Sequence, residues 1–374
     1  MRIKDIRTYA IAYVDTNDFD RVKATVLVRV TAAGGAVGWG EGVTLASEAA
    51  RATKILIDEG LAPLLIEAGE ITVDEAWHRM RAHCWWYGEG GLACIAYSAL
   101  DMALWDIDGR EQGLPLHALL GGKVVETLPA FASSHVNKAT IEENIAEVVS
   151  FKHQGYSGCK LGIGKKGLSD IGKNPDNDVL FVKLLREAVG PHFPILMDAG
   201  NGVVWDRQTA IRTVGRMAEY DIGWIEEPFY PTRIADYRAL KAAVNVPIAT
   251  GEREFTVSGY RRLIETGTVD VLGVDPARSE GVTGFRKVDD ICAQTGITMN
   301  AHAWSTAVLS AASLHLSLSS PNTRLFELKP FAVSVQDELV DAPIRHKAGF
   351  VTTSDRPGLG VEVQEGVVAR LEMR

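Results

Sequence analysis

The stretch Trp224–Phe229 reads WIEEPF. An apolar, strand-like segment ends there in two adjacent carboxylates, Glu226 and Glu227, with Pro228 behind them. The pattern recurs on both sides: LMDAGN (196–201) closes an apolar run with Asp198, and PIATGER (247–253) closes another with Glu252. These segments belong to a longer alternation of short apolar strands and amphipathic helical stretches that begins after LLGG (Leu119–Gly122). The strands expected are LPAFAS (128–133), GCKLGI (158–163), PILMDA (194–199), GWIEEP (223–228), PIATGE (247–252), VDVLGVD (269–275), ITMNAH (297–302) and RLFELK (324–329). Helical patterns such as VLFVKLLREAV (179–189) and GFRKVDDICAQTG (284–296) lie between them. Near-continuous apolar strands alternating with helices indicate a parallel sheet covered on both faces, and eight of them suit a closed barrel. The fold class is α/β, with a TIM-type barrel.

The regions outside the barrel have a different texture. TVLVRVTAAGGAVGWGEG (Thr25–Gly42) reads as two strands around a glycine turn, so the first 45 residues are expected to form an antiparallel sheet. From Glu48 to Gly121 the pattern is helical, most clearly in LACIAYSALDMALWDIDG (92–109), with Gly109 and Gly113 bracketing its end. Strands followed by helices indicate an α+β domain. After Val340 the segments DRPGLGVEV and VVARLEMR read as turns and short strands that return to the N-terminal domain. The expected division is residues 1–125 and 341–374 in a cap and 126–340 in the barrel. GIGKKGLSDIGKNPDND (162–178) is a polar insertion after the second barrel strand, expected over the active-site mouth.

Composition narrows the function. Of 374 residues, 46% are hydrophobic, enough to fill a sizeable core, and the net charge of -9 with scattered Lys and Arg argues against a nucleic-acid partner. The four cysteines show neither CxxC spacing nor the density of a disulfide scaffold. The N-terminus lacks a signal-peptide pattern, and no apolar run reaches the roughly 20 residues a bilayer requires. A cytoplasmic protein with no membrane partner is expected.

In a TIM barrel the C-terminal strand ends form the active site, so polar residues that end apolar strands converge there. Asp198, Glu226 and Glu252 end strands three, four and five. Three neighbouring carboxylates repel one another unless a cation neutralises them, and an all-oxygen set suits Mg²⁺. The alternative, that each acid caps its following helix, requires three coincidences at one rim. Glu227 has the opposite strand parity and is expected to point away from the ligand set. Asp275 ends strand six and His302 strand seven, and a carboxylate bonded to one imidazole nitrogen makes the other a general base. Lys160 on strand two is a buried cation facing the carboxylates or an anionic substrate. Glu327 on strand eight completes the ring, either at the substrate or in a salt bridge.

The order and spacing of MDAGN, WIEEP, ATGER, VDPARSEGVTG, MNAHAW and FELKP, preceded by ALWDIDG and PLHALLGG, resemble the enolase superfamily, specifically the mandelate racemase subgroup, over nearly the whole chain. The resemblance implies a capping domain formed by both chain ends and a modified (β/α)7β barrel. It also implies Mg²⁺ on Asp198, Glu226 and Glu252, a His302–Asp275 dyad, and Glu327 near the substrate carboxylate. One departure stands out: where a Lys-x-Lys pair is usual, this chain has Lys160, Leu161 and Gly162. Lys160 matches the first lysine, Gly162 replaces the second, and Lys165 and Lys166 follow in the loop. A single base favours dehydration of an acid sugar, an aldonate or aldarate, to a 2-keto-3-deoxy acid. A racemase, epimerase or cycloisomerase of the same subgroup is the runner-up, and a non-catalytic sugar-acid binder would be betrayed by a lost ligand or base. The expected partner is a small-molecule carboxylate, the expected assembly a homo-oligomer. Specificity is expected in the loops around Tyr13–Arg21 and Trp85–Tyr87.

Overall fold

The computed structural model describes residues 1–164, 169–200, 202–203 and 205–374. Its first element is an antiparallel meander of β1 (Ile3–Asp15), β2 (Arg21–Ala32) and β3 (Val37–Val43), in that order. The long helix Gly91–Gln112 lies across this sheet. Its approach explains the VGWGEGV pattern of β3: a Cβ on Gly38 would lie 2.3 Å from the Ala103 carbonyl, and one on Gly40 2.0 Å from the Ala99 carbonyl. The helix backbone therefore rests directly on the glycine face of the strand. That helix ends at Gly113, whose φ of +69° closes it in the left-handed region. Gly109 lies inside the helix instead of bracketing its end, and a Cβ there would sit 2.8 Å from Gly358 of the C-terminal tail.

Eight further strands follow: β4 (Leu128–His135), β5 (Gly158–Gly162), β6 (Ile195–Asp198), β7 (Ile222–Glu226), β8 (Ile248–Thr250), β9 (Val271–Val274), β10 (Thr298–Ala301) and β11 (Phe326–Leu328). Every expected barrel strand is present. Adjacent pairs from β4 to β10, and β11 with β4, are parallel. The circuit closes from β10 toward β11 through a Met299–Thr323 bridge and the Met299 amide donating to Asn322 (3.0 Å). A helix of nine or more residues follows each of the first seven barrel strands, whereas β11 is followed by the four-residue turn Ser334–Asp337. The barrel is thus (β/α)7β.

Strand alternation sorts the side chains. Phe131, Leu196, Trp224, Ala249, Val271 and Leu325, from six different strands or strand entries, cluster together and plug the barrel interior. The intervening residues, such as Cys159, Leu161, Met197, Ile225 and Ile248, pack outward on the helices. Burial of each large apolar side chain contributes roughly 1.5–3 kcal/mol, so a one-residue slip of any strand is strongly opposed. The same parity carries the rim: two residues beyond Leu196 is Asp198, and two beyond Trp224 is Glu226.

Cap and barrel are joined by buried acids of the cap that satisfy backbone amides at the starts of barrel helices. Asp101 accepts from the Thr283 amide (2.9 Å) and hydroxyl (2.7 Å) at the start of helix Gly281–Thr295. Glu41 on β3 accepts from the amides of Thr306 (3.3 Å) and Leu309 (3.2 Å) at the start of helix Ala307–Ser319. These are N-terminal caps supplied from distant sequence, where negative charge also meets the positive end of the helix dipole. The tail runs back along both units: β12 (Phe350–Val351) pairs with the start of β4, and Met373 donates to Ala10 of β1 (2.8 Å). The segment VVARLEMR, expected as strand, is mostly helical (Glu365–Leu371), with a β-bridge from Glu372 to Ile11. Val368 is its buried residue and Glu365 pairs with Arg29 (2.9 Å), so one packed side and one polar side suit a helical turn better than a pleat.

Among the described residues no helix is long and apolar enough to cross a membrane.

Candidate active site

The strand ends that carry acids converge on the barrel mouth. Asp198 at the end of β6, Glu226 at the end of β7 and Glu252 just beyond β8 each offer an oxygen within 4.8 Å of the others. Asp198 and Glu226 arrive by simple alternation. Glu252 does not, because Ala249 already points inward and alternation would turn residue 252 outward. Gly251, at φ +125°, rotates the chain between them, and a Cβ there would meet the Gly273 carbonyl at 2.8 Å. Glu227 leaves the ligand set as expected. It has φ +44° and its carboxylate receives the Arg253 guanidinium at 2.7 Å.

Lys160 projects inward from β5 into this group. Its Nζ lies 2.9 Å from Glu226, 3.2 Å from Glu327 and 3.6 Å from Asp198. Burial would lower its pKa, but Glu226, Glu327, Asp198 and Glu252 hold it well above the usual lysine value. Lys160 stays charged. Burial pushes Asp198 up to about 6, against the pull of Lys160 and with the help of Glu252. Burial also lifts Glu226 well above the usual carboxylate range, in spite of Lys160. Glu252 is buried too, yet His302, Lys160 and two arginines hold it down to about 2. One lysine therefore does not neutralise the three acids, and this donor set fits a divalent cation.

His302, just past β10, is the next inward residue after Asn300. Its Nδ1 lies 2.7 Å from Asp275 Oδ2, and its Nε2 faces Glu252 at 3.6 Å. Asp275 is fully buried and is itself fixed by the Ala277 amide (2.8 Å). Desolvation would lower the His302 pKa, but Glu252 and Asp275 raise it. Glu327 accepts from Ser133 (2.7 Å) and Asn300, which aim it beside Lys160. The seven residues singled out from sequence, Asp198, Glu226, Glu252, Lys160, Glu327, Asp275 and His302, thus lie at one rim. Lys165 and Lys166 lie outside the described residues.

Lys160, Asp198, Glu252 and His302 border a cavity of about 390 Å³ whose walls include both barrel and cap. Sequence reading missed several of its residues. Ser133 and His135 on β4 share the inward parity of Phe131, and that alternation could have found them. Arg253, Arg278 and Trp304 lie inside the quoted motifs but carry no periodicity of their own. Asp18 and Lys23 come from the hairpin between β1 and β2, within and just beyond the expected specificity loop. That hairpin is tied to the barrel by Thr16 donating to Ala332 (2.6 Å) and Asn17 donating to Phe331 (2.9 Å). Lys23 bridges Asp15 (2.9 Å) and Asp18 (3.0 Å). Trp85, Trp86 and Tyr87 are exposed, Trp86 at 80%, and are not among the cavity walls.

Comparison with known proteins agrees with this geometry. Residues 16–121 match the mandelate racemase / muconate lactonizing enzyme N-terminal domain, and residues 143–367 match the enolase C-terminal domain-like family. D-galactarolactone cycloisomerase from Agrobacterium fabrum is 27% identical, the match covering 100% of this chain and 99% of that protein. Arabinonate dehydratase from Saccharolobus solfataricus is 26% identical, covering 98% of each chain. The crystal structure of the 3,6-anhydro-D-galactonate cycloisomerase from Zobellia galactanivorans superposes with a TM-score of 0.88 at 26% identity, covering 100% of both chains. The chain belongs to the mandelate racemase / muconate lactonizing enzyme family of the enolase superfamily.

Proposed function

We propose that this family member is a Mg²⁺-dependent hydro-lyase that removes the proton α to the carboxylate of an acid sugar, an aldonate or aldarate, and expels the β-hydroxyl to give a 2-keto-3-deoxy acid. The observation that carries the reading is the His302–Asp275 pair at 2.7 Å, set beside three clustered carboxylates and Lys160. Asp198, Glu226 and Glu252 are the residues that would hold the metal. When bound, Mg²⁺ acts as a Lewis acid that offsets the negative charge developing on the substrate carboxylate.

The chain's own groups supply the rest. Asp275 accepts from Nδ1 and so leaves Nε2 of His302 as the basic nitrogen that takes the C2 proton. Lys160, itself buried, adds fixed positive charge where it counts for more than on the surface. Glu327, aimed by Ser133 and Asn300, lies beside Lys160 at the place assigned to the substrate carboxylate. The relatives named as an arabinonate dehydratase and a D-galactarolactone cycloisomerase support an acid-sugar substrate.

A second reading, opening of a sugar lactone, is favoured by the D-galactarolactone cycloisomerase among the relatives. It needs only one base, because the leaving carboxylate requires no proton. The test is a panel of aldonates, aldarates and their lactones incubated with Mg²⁺ and assayed for 2-keto acid. Formation of 2-keto acid from an open-chain sugar acid is expected. Consumption of a lactone alone would replace dehydration by cycloisomerisation. Inversion at C2 with solvent deuterium and without water loss would make the enzyme an epimerase.

A further inference from the structure

Gly162 occupies the inward position of β5 two residues after Lys160, so a side chain there would enter the cavity beside the carboxylates. That space is already filled. A Cβ on Gly162 would lie 2.2 Å from Nδ1 and 2.9 Å from Cε1 of His135, the last residue of β4. The β4–β5 register pairs His135 with Gly162 directly, so the glycine is what admits the imidazole. The ring is held from three sides: Phe19 of the cap hairpin stacks on it (centroids 6.3 Å apart, planes at 18°), Trp304 meets it edge-on (5.5 Å), and its Nε2 lies 3.9 Å from Asp18.

The strand order places this imidazole in a defined relation to His302. Going round the barrel from β5 to β10, the acids on β6, β7 and beyond β8 come between the two. His302 flanks the carboxylate arc on one side, and His135 with Gly162 flanks it on the other. A substrate whose carboxylate is anchored at the arc turns one face of its reacting carbons to each flank.

The geometry points to His135 as a second acid–base group of the site, donating a proton to the departing β-hydroxyl on the face away from His302. This rests on the dehydration reading above. The C2–H bond breaks and its proton passes to Nε2 of His302. The electron pair left behind forms the C2–C3 double bond as the C3–O bond breaks, and the hydroxyl leaves with the His135 proton as water. The enol then takes a proton at C3 while its C2 hydroxyl gives one to solvent, becoming the 2-keto acid, so one water is lost in sum and both imidazoles are reset by exchange with solvent. Positioned acid catalysis of this kind contributes about 10²–10⁴-fold.

The experiment measures C2-proton exchange in D₂O and 2-keto acid formation separately, with Mg²⁺, on the sugar acid the wild type turns over fastest among arabinonate, mannonate and galactarate. His302→Asn should lose both. His135→Asn should keep exchange while water loss falls at least about 100-fold, and fluoride release from the 3-deoxy-3-fluoro analogue should survive because fluoride leaves without a proton. Gly162→Ala, whose Cβ displaces the ring, should give the same split, and carries the test if His135→Asn fails to fold. Unchanged water loss in His135→Asn would overturn the proposal. So would an equal fall in exchange, fluoride release and water loss, which would mark a structural role, or the split appearing in Lys165→Ala or Lys166→Ala instead. Absence of 2-keto acid from every sugar acid offered to the wild type would bring down the dehydration reading itself, and the proposal with it.

Discussion

The two flanks of the carboxylate arc are built from different materials. On the β9–β10 flank, Asp275 and His302 sit on adjacent strands, at the same height, with the acid buried and the pair 2.7 Å apart. On the β4–β5 flank, His135 is held by stacking and by an acid 3.9 Å away on a hairpin of the cap. The first flank is rigid because hydrogen-bonded strands fix both members. The second depends on how the cap hairpin is seated.

The largest expected effect comes from removing the arc that both flanks share. Glu226→Gln should abolish measurable turnover while the fold, read by circular dichroism, survives, since one lost anionic ligand weakens both cation affinity and charge stabilisation. Full activity in excess chelator would dismiss a metal role for the arc.

Next in size is Asp275→Asn, which should cost about 10³–10⁴-fold in kcat, as when other histidine bases lose their orienting acid. The variant also probes pH. His302 must be neutral to accept a proton, and its pKa is raised by Glu252 and Asp275 over the lowering effect of burial. Thus kcat/KM should fall as pH drops through that raised value. With Asp275 neutral the acid limb should move to lower pH, and an unmoved limb would assign it to another group.

Asp18→Asn tests the softer flank and should lower kcat by only about 10–100-fold, the range for a partner that orients a reacting group. A loss equal to that of Asp275→Asn would mean that both flanks are equally rigid. Smallest in its effect on chemistry, but measurable as stability, is Asp101→Ala. It leaves the Thr283 amide without its buried acceptor and should destabilise by about 2–3 kcal/mol, lowering the melting temperature. A neutral outcome would mean that the cap does not help hold helix Gly281–Thr295.

Much of the rim was legible because its information is local. An inward apolar residue followed two places later by an acid, as in Leu196–Asp198 and Trp224–Glu226, states both the strand and the direction of the carboxylate. The same reasoning puts Asp275 and His302 side by side once β9 and β10 are neighbours. Ser133, His135 and Asn300 obey that alternation too, but a serine, a histidine or an asparagine on an apolar strand does not announce itself as an acid does.

By itself, the sequence determined the parallel barrel, the antiparallel N-terminal sheet and the acids at the strand ends, since alternation and turn chemistry act between residues a few positions apart. Tertiary structure decided the rest. The inward turn of Glu252 depends on the backbone at Gly251, and the capping roles of Asp101 and Glu41 depend on amides 182 and 265 residues later. The tail became a helix where its packed side met β1 and its polar side met Arg29. His135 entered the cavity because Gly162 on the next strand leaves room for it, and Asp18 reaches it from the other end of the chain. Contacts between such distant segments impose no periodicity on either one, so only the folded chain displays them.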